Sequence, residues 1–555
     1  MGGNAMTRTF CSLAAVWAVV LVVAVPQAQQ TAPATPAHPA VSGHDPERFQ
    51  TAQNCVACHN GLITPSGEDV SIGASWRASM MANSARDPYW HAAVRRETID
   101  HPSVKAEIEN ECSICHMPMA TTNARLAGGH GKVFAHLPIR GAASPESKLA
   151  ADGVSCTLCH QIATDRLGTP ESFTGGFVVN PAPQGGPRRM FGPYAVDDGR
   201  TALMRSATGV TPTEATHVRE SEMCATCHTL FTRAFDPRGQ PAGRLAEQVP
   251  YLEWRHSAFR AEQSCQGCHM PPVKEPTRVS SVLGELRENM GRHTFHGGNF
   301  FMLRMLNRYR LELGVEALPL ELDASANATI KYLQEDAARV TIDGARVDAG
   351  RLTARVTVTN LTGHKLPTGY PSRRAWLHLV VKDAGGRTLF ESGAVQPSGA
   401  IVGSDLDADP ARYEPHYDEI RTGDQVQIYE PVMIDTAGAV TTGLLSGTRY
   451  VKDNRLLPRG FDKVTASADV AVHGNAASDR NFTGGGDLVT YSVDVSGAQG
   501  PIQVQADLRY QSISFRWADN LRRYQADETK RFVGYYDSMS AGSSVVLATA
   551  ATTVR

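Results

Sequence analysis

Three observations predict an α + β multidomain protein. The chain has 555 residues, more than one ordinary domain holds. All but one of its 11 cysteines lie between positions 55 and 268, and none follows. From about 320 onward, short runs alternate apolar and polar residues between Gly-rich turns. These predict a mostly α and loop domain over 46–318. A β-rich domain follows over 319–555, a β-sandwich of immunoglobulin-like architecture by analogy. Hydrophobic residues at 42% and charged ones at 20% are those of a globular chain. The net charge of −2 gives no electrostatic basis for nucleic-acid binding. Aromatics at 7% leave a side-chain core short of large groups.

The first element is an export signal over 1–28. Arg8 precedes an apolar run from Leu13 to Val25, shorter than the roughly 20 residues a membrane span needs. Ala24 and Ala28 are the cleavage positions, and an uncleaved anchor is the alternative. Cys11 precedes the apolar run, where a lipobox cysteine does not sit. A Pro/Ala-rich linker follows over 29–45. The expected location is the periplasm or the cell exterior, with no membrane span after cleavage.

The remaining ten cysteines form five C-x-x-C-H motifs: Cys55/Cys58/His59, Cys112/Cys115/His116, Cys156/Cys159/His160, Cys224/Cys227/His228 and Cys265/Cys268/His269. Each is the c-type haem attachment pattern. Two thiols one helical turn apart add to the two vinyl groups of one haem, and the next residue offers its imidazole to the iron. Disulfides do not require a His after each pair, and zinc knuckles would need two further ligands per pair. The expected cofactors are five haem c groups. First cysteines are 57, 44, 68 and 41 residues apart (112−55, 156−112, 224−156, 265−224). This irregular spacing excludes a tandem repeat of one module. Roughly 55 residues per haem is too few for separate domains. The haems must share one core, with short motif helices joined by long loops.

Over roughly 46–315 the chain resembles the multihaem c-type cytochromes. Beside the motifs, the C-H-M-P extensions at His116-Met117-Pro118 and His269-Met270-Pro271 carry the likeness. So do SerMetMet at 79–81, GlyValSerCys at 153–156 and HisThrPheHisGlyGlyAsn at 293–299. The resemblance implies an electron carrier with axial ligands from outside the motifs.

Fourteen histidines lie outside the motifs. His293, at the entrance of a helically spaced run (Phe300, Leu303, Leu306, Tyr309), ranks first, with His296 as the near alternative. His217, seven residues before Cys224, and His136, competing with His130, come next. Met81, ahead of Met80, is a thioether candidate that would raise the potential, against the plain reading of core packing. His91, His101 and His256 rank lower.

In the C-terminal half, strands are predicted over 351–359, 375–383, 386–393, 488–495 and 502–510, with a hairpin turn at AspAlaGlyGly. The segment NLTGHKLPTGYPSRRAW, 360–376, resembles a G-H-x-x-P-T-G loop of β-modules in multihaem cytochromes. Gly363, Pro367 and Gly369 would fix a loop that presents His364 to a haem across the interface. Asp405, Asp407 and Asp409 suggest a calcium loop, but Pro410 and His416 stand where an EF-hand has Gly and Glu. A solvated acidic turn therefore outranks a calcium site there.

The expected function is stepwise electron transfer between redox partner proteins or a quinol-linked membrane complex. The alternative is an oxidoreductase acting on a small nitrogen or sulfur compound (nitrite, hydroxylamine or tetrathionate-like) at one open haem. Pentahaem nitrite reductases often carry Lys in place of one motif His, and that marker is absent. A third reading makes the β-domain a docking module.

Overall fold

The computed structural model describes residues 1–2, 48–182 and 186–555. The export signal and linker fall outside the described residues. From Arg48 onward the chain belongs to one contact unit.

Five short helices carry the motifs: α1 (Gln53–Val56), α3 (Lys105–His116), α4 (Cys156–Cys159), α5 (Ser221–Ala225) and α7 (Cys265–His269). Between them lie α2 (Pro88–Asp100) and α6 (Pro250–Arg255). Helix α2 starts where the sequence dictates. Asp87 is the N-cap and accepts from the backbone N–H of Tyr89 and Trp90, and Pro88 fills the first helical position. Helix α8 (Phe300–Arg308) buries Phe300, Phe301, Met302, Leu303, Met305 and Leu306. Helix α9 (Pro319–Asp336) leads into the first strand of the sheets.

Beside a small three-stranded sheet (431–434, 440–441 and 449–453), the C-terminal half holds two larger sheets that share a buried core. Their strands are β1 (Ala338–Asp348), β2 (Arg351–Asn360), β3 (Arg374–Lys382), β4 (Thr388–Ser392), β5 (Glu419–Ile420), β6 (Ile428–Tyr429), β7 (Gly486–Asp494), β8 (Ile502–Gln511) and β9 (Ser544–Val554). One sheet runs β5-β7-β2-β1 and the other β4-β3-β8-β9, with β6 on β3. Neither closes into a barrel. Period-2 alternation drives the stacking: Leu352, Ala354, Val356 and Val358 of β2 join one buried cluster with Leu377, Leu379 and Val381 of β3. The β1–β2 hairpin turns through Ala349 and Gly350, both at positive φ, the conformation of a tight hairpin.

Strands β2, β3, β4, β7 and β8 lie where alternation predicts them. Strands β1 and β9 and helix α10 (Asp527–Met539) add to that set. Helix α10 returns to the N-terminal half and packs on α2, with Arg95 paired to Glu528 at 2.8 Å and Tyr89 edge-on to Phe532 at 5.0 Å. Residues 440–455, irregular in sequence, also reach back. Leu444 N–H donates to the buried Glu97 carboxylate of α2 (2.8 Å), and Tyr450 hydroxyl donates to Ala246 O (2.9 Å).

The acidic turn is corrected here. Expected to be solvated, the turn instead buries Asp407. Asp407 accepts a bidentate pair of bonds from buried Arg374 (2.9 and 2.8 Å), and Asp405 pairs with Arg412 (2.7 Å).

Candidate haem-binding cavity

The five motif helices surround one cavity of about 1650 Å3. Single small-molecule pockets run to about 1,000 Å3, so this space suits more than one ligand. All five motif histidines and nine motif cysteines, all but Cys58, line it. The ten motif cysteines are free thiols. Thiols of different motifs lie close enough to act on one another: Cys55 with Cys156, Cys115 with Cys227, and Cys224 with Cys265. The Cys227 charge also acts on Cys159. The first motif therefore neighbours the third, and the fourth neighbours the second, third and fifth.

Hydrogen bonding decides which imidazoles can hold a metal. A carbonyl only accepts, so a ring nitrogen bonded to one carries the proton. The other nitrogen then keeps its lone pair. Nδ1 donates to Val279 O in His59 (2.5 Å), Ser84 O in His116 (2.9 Å) and Phe191 O in His160 (2.5 Å), and His269 Nδ1 donates to His296 O. Outside the motifs, His293 Nδ1 donates to Gly291 O (3.0 Å) and His364 Nδ1 to Lys365 O (2.9 Å). In all six the Nε2 lone pair is free. Burial pushes His116, His228, His293 and His364 down to about 4, which holds these imidazoles neutral.

Two pairs of rings face each other across the cavity. His160 and His293 have centroids 6.3 Å apart and planes 20° from parallel. His269 and His364 are 6.2 Å apart and 10° from parallel. A metal–imidazole bond of about 2.0 Å on each side puts two centroids roughly 6 Å apart. The residues present therefore fit a six-coordinate iron between each pair.

The structure treats the other candidates differently. His217 is buried, but its Nε2 donates to Ile162 O (2.8 Å), and it is not on the cavity wall. His136 bonds Ser147 at 3.2 Å, also off the wall. Met80 and Met81 both line the cavity, as does His296, whose Nδ1 is buried without a partner. His91 donates from Nε2 to Ala85 O, and His101 lies 3.2 Å from Ser446 hydroxyl. Sequence reasoning did not single out Trp90, which stacks on His116 at 4.3 Å with planes 1° apart. Its place at the start of the Asp87-capped helix is the signal that could have found it.

A second grouping, His416 with Asp479 and Asp487, has ligand atoms at metal-binding separations. Its tautomer is wrong for ligation. Gln427 and Asn454 are oriented by Tyr417 N–H and Glu430 N–H, and both donate to His416 Nδ1 (2.7 and 3.1 Å). Nε2 therefore carries the proton and donates to Asp479 (3.0 Å). This is a closed polar network.

Comparison with solved structures finds the crystal structure of a penta-heme cytochrome c552 from Thermochromatium tepidum. It covers 92% of this chain and 100% of that one, at a TM-score of 0.50 and 16% identity. The likeness is one of fold, and it extends across both halves of the chain. No family model and no curated protein matches. No described helix is long and apolar enough to cross a membrane.

Proposed function

We propose that the chain is a multihaem c-type cytochrome that carries electrons between redox partners through five covalently attached haems. The facing imidazole pairs, each at iron-sharing distance with both Nε2 lone pairs free, carry this reading. Bound at such sites, haem c supplies a one-electron ferric/ferrous couple. The chain's part is to hold it. Ten thiols attach, His59, His116, His160, His228 and His269 are the motif ligands, and His293 and His364 are second ligands to the third and fifth groups. The carbonyls of Phe191, Gly291, Lys365 and His296 fix the tautomers and orient the rings. The proximity of motif thiols supports a connected order of first, third and fourth, with the second and fifth joined at the fourth. The fold likeness to a penta-heme cytochrome agrees with a count of five.

The substrate-reducing reading has one observation in its favour. No second imidazole faces His59, His116 or His228 among the described residues, and Arg373 acts on His228 electrostatically. Intact mass and redox-titrated EPR test both readings. The carrier reading expects a mass gain of five haems and predominantly low-spin iron. His293→Ala is expected to convert one haem to high spin, and His217→Ala none. A mass gain of fewer than five haems would break the count. A high-spin haem in the wild type that exchanges added ligands would favour the enzyme.

A further inference from the structure

The loop that presents His364 is held from outside its own sheet. Glu253 of α6 is fully buried. Its Oε2 accepts from Lys365 N–H (3.1 Å) and from Thr368 hydroxyl (2.5 Å), one residue after His364 and four after it. Its Oε1 pairs with Arg455 at 2.9 Å. Arg455 in turn grips both oxygens of Asp453 at 2.8 Å, and Asp453 pairs with Lys365 Nζ at 2.7 Å. Two carboxylates and two cations thus close a neutral buried network. Asp453 and Arg455 each hold the other in its charged form.

The rest of the loop leaves little freedom. Asn360 Nδ2 donates to His364 O (2.8 Å) and Leu456 O (2.9 Å). A Cβ at Gly363 would lie 3.3 Å from Phe259 Cβ and 3.4 Å from Trp254 Cδ1, so the loop lies against α6 and the segment that follows it. The only carboxylate that α6 offers this loop is Glu253, and it takes the two donors flanking the turn after His364.

We infer that Glu253 is a positioning residue: through Lys365 N–H and Thr368 hydroxyl it holds His364 opposite His269, so that α6 sets the axial ligation of the fifth haem. This rests on the reading that His269 and His364 share an iron. The clamp makes ligation at this site depend on contact between the two halves of the chain. At the third site both imidazoles come from residues 160–293.

The test uses the full-length protein as isolated with its haems. Ferric EPR counts high-spin iron, and carbon monoxide binding to the reduced protein reports how readily a second ligand leaves. His364→Ala is expected to make one haem in five high-spin and open to carbon monoxide. Glu253→Ala is expected to speed carbon monoxide binding at that haem about tenfold or more, because a charge-assisted bond is lost. Glu253→Gln, which keeps an acceptor, should restore part of the protection, and Thr368→Val should fall between wild type and Glu253→Ala. Glu262→Gln, in an exposed pair with Arg459, is the control that should match wild type. If His364→Ala opens the site while Glu253→Ala and Thr368→Val behave as wild type, the positioning role is overturned and the ligation stands. If His364→Ala leaves the spectra unchanged, the ligation reading falls and the clamp's role falls with it. Should Glu253→Ala fail to fold, Thr368→Val and Glu253→Gln decide.

Discussion

The cavity half and the sandwich half are built on opposite terms. In the sandwich, inward side chains of β2, β3, β7 and β8 are almost fully buried, and each strand is paired along its length. In the cavity half, four of the five motif helices have four or five residues. Isolated helices of that length do not form in water. Nine of the ten motif thiols line one shared cavity. One half is closed by its own side chains, while the other surrounds a cavity of about 1650 Å3. The sparse aromatics of the sequence fit that difference.

The largest expected effect tests this contrast directly. In the full chain prepared without haem attachment, amide exchange should show the motif segments 53–59, 156–160, 221–228 and 265–269 losing protection by orders of magnitude. Strands β2, β3, β7 and β8 should keep theirs, because their ladders and core do not involve the cavity. Equal protection in both halves would show that the cavity half closes without its cofactor. Equal loss would show that the sandwich depends on it through α10 and residues 440–455.

Next in size is a buried ion pair of the sandwich. Arg374 and Asp407 have side chains 1% and 3% exposed, and the guanidinium also donates to Gln511 Oε1 (2.9 Å). Asp407→Ala leaves that cation uncompensated, at a cost of about 3–5 kcal/mol. Thermal unfolding should shift accordingly while the haem spectra at room temperature stay as in wild type. A spectral change would mean that the two halves are coupled more tightly than the contrast allows.

Both halves were legible in the sequence, through different signals. The motif helices are legible because each C-x-x-C-H pattern sets two thiols one helical turn apart. The strands at 351–360 and 374–382 are legible because one face is buried and the period is 2. Strand β1 is harder, since its register to β2 shifts between Ile342 and Gly344 and breaks the alternation. The pairing of histidines was not legible. His293 lines the cavity with its Nδ1 proton on Gly291 O. His217, equally well placed along the chain, sits in the 3-10 turn Thr216–Arg219 with its Nε2 on Ile162 O. Which ring nitrogen keeps its lone pair depends on a carbonyl that folding brings to the histidine, and whether the ring reaches the cavity depends on the fold; sequence separation carries no trace of either.

The smallest effect concerns the closed network at His416, and its sign distinguishes a structural carboxyl from a metal ligand. Burial pushes Asp487 up to about 7, although Tyr429 hydroxyl (2.8 Å) and Gln427 Nε2 (3.1 Å) donate to it. An unfolded Asp releases its proton near 3.9. The folded chain therefore keeps a proton that the unfolded chain has lost, and stability falls as pH rises from about 4 through 7. Asp487→Asn removes that slope. Relative to wild type it should gain on the order of 2 kcal/mol between about pH 4 and pH 5.5, read as a difference in unfolding free energy. Any constant offset from the new amide leaves the slope untouched. Burial pushes His416 down to about 4, so its stabilising contribution is lost as pH falls from its ordinary range. It contributes a slope of opposite sign that the wild-type-minus-variant difference cancels. A difference that does not change with pH would mean that Asp487 is already ionised in the fold. A held cation would do this, and the tautomer assigned to His416 would then be wrong.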